Sequence, residues 1–289
     1  MGAIVDCPWP PVPDFALAYL NMNTVTLRLA REDAVLVTVQ ATEGSVPREV
    51  GAWMLVFAHD ETGTIGGGQL EFNAIAQARR LLASPGAAPE QLRQALGPSL
   101  GQCCGGVVQL ALARVGAGDA NALARQLRPQ RAPLALFGGG HVGKALVAAL
   151  SPLPFAVHWI DSRDEIFPAH LPPQVQCEHS DPVHAAVPHL ATRSRVLIMS
   201  FSHAQDLDIV AACLLRLRER QDLPYVGLIG SKTKWASFRH RLQARGFTDV
   251  ELNQVTCPIG IPGISGKEPE VIAASVAAQI LQLAPPGKP

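Results

Sequence analysis

The chain has 289 residues, which is enough for about two domains, and 48% of them are hydrophobic while only 17% are charged. Lys plus Arg and Asp plus Glu number 24 each, so the formal charge is zero, which argues against a dedicated nucleic-acid binder with its basic excess. No apolar run approaches the ~18 residues of a membrane span, Met1–Phe15 lacks the basic start of a secretory signal, and six cysteines, two of them adjacent, do not form a disulfide framework; the expected location is the cytoplasm.

A Pro-rich lead, residues 1–13, precedes a helix expected from about Asp14 to Ala30. Ala34–Ala41 and Ala52–Ala58 read as strands, because both are rich in β-branched or aromatic residues and are bounded by turn signals. Thr64–Gly68 leads into a helical pattern, Gln69–Ala83, and Gly101–Gly106 (GQCCGG) leads into a third strand, Val107–Val115. Residues 116–131 are polar and read as a linker between a first α/β region, residues 14–115, and a second, residues 132–289.

The second region alternates strands and helices. Strands are expected at Pro133–Phe137, Phe155–Ile160, Val175–Glu178, Val196–Phe201 and Tyr225–Ile229. Helices are expected at Lys144–Leu150, weakly up to Ala191, and at Leu207–Arg220, Lys232–Arg245 and Glu268–Leu283. The predicted fold class is therefore α/β: an N-terminal α/β domain with glycine-rich loops, then a C-terminal Rossmann-like, doubly wound parallel sheet.

Gly138-Gly139-Gly140-His141-Val142-Gly143 fits G-x-G-x-x-G, follows an apolar strand and opens a helix, and Asp161 stands 18 positions after Gly143 at the end of the next strand. Such glycines let the backbone turn tightly and approach a phosphate, which the helix N-terminus then favours. An acid at the position of Asp161 accepts hydrogen bonds from a ribose diol. Gly138, Gly140, Gly143 and Asp161 are thus candidate binding residues; the bland alternative is a turn that only packs helix on strand. Ligands of such sheets sit at the carboxyl ends of the strands, where Ser202-His203 and Gly230-Ser231-Lys232 also fall. His203 is a site residue or an ordinary loop histidine. Ser231 is a ligand or only a helix cap. Lys232 is placed to meet an anion, and Arg163 pairs with a phosphate or with solvent.

In the first region, three glycine-bearing loops attract attention: Gly44–Arg48, Gly66–Gly68 and Gly101–Gly106. Gly66, Gly67 and Gly68 precede a helix, which suits an anion, and Arg48 can fork onto a phosphate or carboxylate. Glu71 falls in the first turn of that helix, where the dipole favours it. Cys103-Cys104 is the sharpest feature. A free thiol is only about 3% thiolate at pH 7, but glycine-loop amides or a nearby arginine raise that fraction, and thiolates suit soft metals and sulfur chemistry. Zinc is disfavoured, since no C-x-x-C or H-E-x-x-H occurs; a buried small-residue pair and a vicinal disulfide remain alternatives. His179, His184 and His189 are spaced by five and share no helical face.

Together, ATEGSVPREVGAWMLV (Ala41–Val56), GTIGGGQLE (Gly63–Glu71), GQCCGG (Gly101–Gly106), LFGGGHVGKAL (Leu136–Leu146), WIDSR (Trp159–Arg163), SFSHAQDL (Ser200–Leu207), YVGLIGSK (Tyr225–Lys232) and CPIGIPGISGKEPEVIA (Cys257–Ala273) resemble the XdhC/CoxI family of xanthine dehydrogenase accessory proteins, in family order across most of the chain. The resemblance implies a chaperone rather than an enzyme. Such a protein binds the molybdenum cofactor (molybdopterin), protects its sulfurated form and helps insert it into the molybdenum-binding subunit of xanthine dehydrogenase. Implied partners are that subunit, a NifS-type cysteine desulfurase, cofactor-synthesis enzymes and a second copy in a homodimer, with no nucleic acid and no membrane. On this reading Cys103 or Cys104 touches the metal or sulfur end of the cofactor, in a pocket between the two domains. The Rossmann-like domain then holds part of the cofactor or an additional nucleotide. The glycine fingerprint keeps an NAD(P)-dependent oxidoreductase as the alternative, and a pure interaction protein as a third reading.

Overall fold

The computed structural model describes residues 22–84, 86–97, 105–127 and 130–283. The Pro-rich lead and Cys103-Cys104 lie outside the described residues. The chain forms two compact units that divide after residue 128.

The first unit runs α1 (Met22–Leu29), β1 (Ala34–Glu43), β2 (Trp53–Val56), β3 (Glu61–Gly63), α2 (Gly68–Leu82), β4 (Glu90–Ala95), β5 (Val107–Val115) and α3 (Ala120–Gln126). The strands make one antiparallel sheet in the order β3-β2-β1-β5-β4. Side chains alternate across a strand, so β1 turns Val35, Val37 and Val39 to one face, against Leu70, Ala74, Ala78 and Leu81 of α2. It turns Ala34 and Leu36 to the other, against α1 and α3. Burial on both faces explains the nearly unbroken apolar run of this central strand.

Two elements here depart from the sequence reading. The segment 116–131, expected as a linker, contains α3. Ala120, Leu123 and Leu127 pack with Val25 and Leu29 of α1 and with Leu36, Leu55 and Phe57 of the sheet. Their helical spacing is an apolar stripe inside a polar stretch. The strand β4 (EQLRQA) is an edge strand with alternating exposure. It owes its conformation to pairing with β5, from Glu90 opposite Leu112 to Ala95 opposite Val107, because it holds none of the β-branched or aromatic residues that favour strands.

The second unit runs β6 (Ala132–Phe137), α4 (His141–Leu150), β7 (Phe155–Asp161), β8 (Val175–His179), β9 (Arg195–Ile198), α5 (His203–Arg220), β10 (Tyr225–Leu228), α6 (Lys232–Ala244), α7 (Asp249–Leu252), β11 (Val255–Thr256) and α8 (Pro269–Gln282). Short 3-10 turns occupy Asp164–Ile166 and Val183–His189. All six strands are parallel, in the order β11-β10-β9-β6-β7-β8. Read from β8, this is the 3-2-1-4-5-6 order of a doubly wound sheet, and its direction reverses between β6 and β9. Leu134 and Leu136 of β6 face the layer of α4 and α8. Ala135 and Phe137 face the layer built from α5, α6 and the 183–189 turn. No helix among the described residues is long and apolar enough to cross a membrane.

Candidate functional site

The carboxyl edge of the parallel sheet is organised by the glycine turn after β6. Gly138 has φ +121°, and a Cβ there would collide with the Met199 carbonyl oxygen at the end of β9. A Cβ on Gly143 would collide with the Gly138 carbonyl oxygen. That same oxygen accepts the Trp159 indole N–H at 2.9 Å. The first and third glycines are therefore required by the packing of the turn on itself and on β9. Gly140 differs: it is the N-cap of α4 with no side-chain cap, and no atom lies within 4 Å of its Cβ position. It is the open point of the turn. A Cβ on Gly139 would lie 2.6 Å from the Ile166 side chain, so the segment after β7 closes over that residue.

Asp161, at the end of β7, is only 1% exposed. Its Oδ2 accepts the Gly139 amide at 2.6 Å and Arg163 Nη2 at 2.9 Å. Its Oδ1 accepts the Arg163 amide and Arg163 Nε, both at 2.9 Å. A carboxylate offers about four lone-pair sites, and these donors fill them. Burial pushes the Asp161 carboxyl up, but the hydrogen bonds from Arg163 and Gly139 outweigh it and leave it below the ordinary value. The bond to Asp161 raises Arg163 in turn. The ribose-accepting role expected from the spacing thus meets a carboxylate already occupied by Arg163, whose guanidinium also stacks 4.6 Å from the Phe201 ring centroid. Phe201 itself is 68% exposed.

The other residues read at this edge divide. His203 is exposed at the start of α5, with its ring edge-on to Phe238 at 6.3 Å. Ser231 caps α6 by accepting the Lys234 amide at 3.1 Å. Lys232 is exposed. The lysine that turns inward is Lys234, which the sequence reading missed. Its Nζ donates to Asp206 Oδ2 at 2.7 Å and to the Ile229 carbonyl at 2.9 Å. Asp206 Oδ1 accepts both the amide and the hydroxyl of Ser200, at 2.8 and 2.7 Å. With side chains 12% and 3% exposed, Lys234 and Asp206 form a satisfied, nearly buried pair that ties α5 and α6 to the ends of β9 and β10. The signal was positional: on a helix capped at residue 231, residue 234 is N3 and looks back at the preceding loop.

In the first unit, the glycine loops converge. A Cβ on Gly66 would lie 2.6 Å from the Pro47 ring, and one on Gly44 would lie 3.3 Å from Gly106 Cα. The Gly106 amide donates to the Ser45 carbonyl at 3.0 Å. Loops 44–48, 64–68 and 105–106 thus stack at one end of the sheet, and Cys104 directly precedes Gly105 in the chain. The anion position read at Gly66, Gly67 and Gly68 is taken from within. Glu71 Oε2 accepts the amides of Ile65 and Gly67 at 3.0 and 3.1 Å and the Thr64 hydroxyl at 2.6 Å. The Gly66 amide goes to Thr64 Oγ1 at 3.1 Å. Arg48 borders this cluster, 39% exposed, with a long 3.4 Å contact to Glu49. His179 binds the Ser162 carbonyl at 3.1 Å, and no group of His, Cys, Asp and Glu among the described residues could hold a metal ion.

A family model described as the XdhC Rossmann domain matches residues 134–280, and one described as the XdhC and CoxI family matches residues 27–93. The Escherichia coli K12 protein YqeB is 27% identical over 270 residues, covering 91% of this chain and 46% of its own length. The chain therefore spans about half the length of that curated relative. A solved structure described as a xanthine dehydrogenase from Bacillus halodurans superposes with TM-score 0.73 at 21% identity, covering 91% of this chain and 96% of that one. At that identity the likeness concerns the fold. The match over 134–280 takes in the doubly wound sheet and its glycine turn, and the match over 27–93 takes in the converging loops of the first unit; the chain belongs to the XdhC and CoxI family.

Proposed function

We propose that the chain is an accessory protein in the maturation of a xanthine dehydrogenase-type molybdenum enzyme. In this role it binds the molybdenum cofactor, shields its sulfurated form and delivers it to the molybdenum-binding subunit. A NifS-type cysteine desulfurase supplies the sulfur, cofactor-synthesis enzymes supply the cofactor, and the working unit is a homodimer. The observation that carries this reading is the pair of family matches, one in each unit.

The chemistry of the chain fits such a cargo. The cofactor brings its own dithiolene ligands to molybdenum, so the protein has to hold a pterin, a phosphate and one soft contact rather than build a metal cage. In the first unit, Arg48, 39% exposed at the border of the stacked loops, offers a cation for the phosphate. Cys103 and Cys104 would supply the soft contact.

The test is anaerobic purification from cofactor-producing cells, with pterin assayed as its fluorescent oxidation product and molybdenum by mass spectrometry. Near-stoichiometric pterin, lost in the Cys103→Ser/Cys104→Ser double variant with the fold intact, is the expected result. Absence of pterin under strict anaerobiosis, or retention unchanged in the double variant, would count against the reading.

A further inference from the structure

The second unit carries a site whose chemistry the glycine fingerprint alone misstates. In a dinucleotide-binding sheet, the acid after the second strand keeps its oxygens for the ribose diol. Here the acceptor sites of Asp161 are filled by the Gly139 amide and by the backbone and side chain of Arg163. A diol would have to break a bidentate, charge-assisted pair in a site that is 1% exposed. What faces outward is the guanidinium. Asp161 takes the Nε and one Nη2 donor, and no described residue accepts the remaining N–H groups of a side chain that is 36% exposed.

The surroundings extend this. Arg163 lines an open cavity of about 490 Å³ together with Asp164, Glu165 and Ile166. The lining thus sets two acidic residues, Asp164 and Glu165, beside a fixed cation, and an ionised carboxylate is an acceptor of the kind a ring amino group needs. Phe201, 68% exposed and flanked by Arg163, lies in the loop after β9, on the far side of β6 from β7, as an aromatic platform. The edge formed by Nη1 and the second Nη2 hydrogen remains a planar fork that matches a phosphate bidentately, and Asp161 already orients it through Nε and Nη2.

We propose that this edge binds the phosphate monoester of an amino-substituted heterocycle, with Arg163 as phosphate anchor, Phe201 as stacking surface and Asp161 as the positioning residue that aims the guanidinium. Two sources share this chemistry: a dinucleotide phosphorylated on its ribose, and the phosphate-bearing pterin of the cofactor. Only the second rests on the chaperone reading.

Isothermal titration of the full chain separates the sources with two matched pairs of probes: NADP+ against NAD+, and the oxidised phosphopterin against its phosphatase-treated form. Within at least one pair the phosphorylated member binds tenfold tighter or more. Arg163→Gln abolishes that preference, Arg163→Lys reduces it because the fork is lost, and Phe201→Leu weakens both members of the pair alike. A preference in one pair identifies the source. Equal affinity within both pairs, no binding of either phosphorylated probe, or a preference unchanged in folded Arg163→Gln and Arg163→Lys would overturn the proposal. Preference confined to the dinucleotide pair would keep this site and remove one support from the chaperone reading.

Discussion

Glu71 reaches back from the first turn of α2 and accepts the amide of Gly67 at 3.1 Å, filling the position that a bound anion would otherwise take. The same oxygen holds Thr64 and Ile65, so one side chain closes the 64–68 loop. Glu71→Ala orphans those donors and should lower stability by about 1–2 kcal/mol. The measurement is the urea midpoint at unchanged slope. Glu71→Gln keeps an acceptor and should cost less. Equal, negligible losses in both would show that water serves those amides.

The glycines of the 138–143 turn make opposite predictions. Gly143→Ala drives a methyl into the Gly138 carbonyl and should cost more than about 3 kcal/mol or prevent folding, whereas Gly140→Ala meets nothing within 4 Å and should fold normally. In the first unit, Gly106→Ala collides with the Glu43 and Ser45 carbonyl oxygens while Gly105→Ala is unopposed. Thermal midpoints of the four variants read the contrast directly.

Asp161 should leave a mark on the acid limb of the stability curve. Its native carboxyl lies below the ordinary value, and an unfolded Asp titrates near ~3.9. The contribution of the pair is therefore fully present above about pH 4 and is lost as pH falls through the depressed native value. Denaturant midpoints of the wild type should fall more steeply below pH 4 than those of Asp161→Asn, which starts lower. Parallel curves would mean that the pair contributes nothing to folding.

Thiol labelling should sort the cysteines. Burial pushes the Cys213 thiol up to about 12 and the Cys257 thiol up to about 11. Since the thiolate is the reactive form, Cys213 should resist iodoacetamide at pH 8 until the chain unfolds. If Cys103 and Cys104 act as soft ligands, they should label first, as read by peptide mass spectrometry. Rapid labelling of Cys213 in the native state would mean that the α5 layer opens far more readily than its burial implies.

What was legible in the sequence was what burial writes into composition. The apolar runs of β1, β6 and β9, the glycine turn and the position of Asp161 all follow from strands covered on both faces. The helix α3 and the strand β4 escaped because their few apolar or half-buried positions are diluted by polar neighbours and acquire meaning only against α1 and β5. Roles escaped more than positions. Asp161 was placed by spacing, but its partner Arg163 decides what it can accept, and that pairing is a matter of side-chain geometry two residues away. Lys232 and Lys234 are chemically alike and differ only in helical phase.

The helix α3 also bears on how the protein can be divided. A cut at residue 116 would strip Ala120, Leu123 and Leu127 from Leu36, Leu55 and Phe57, and the fragment should aggregate. A cut after Leu127 leaves the amino-terminal half with its own lid. Limited proteolysis should therefore spare 116–127, and a natural or engineered fission of the coding sequence would be tolerated only downstream of that helix.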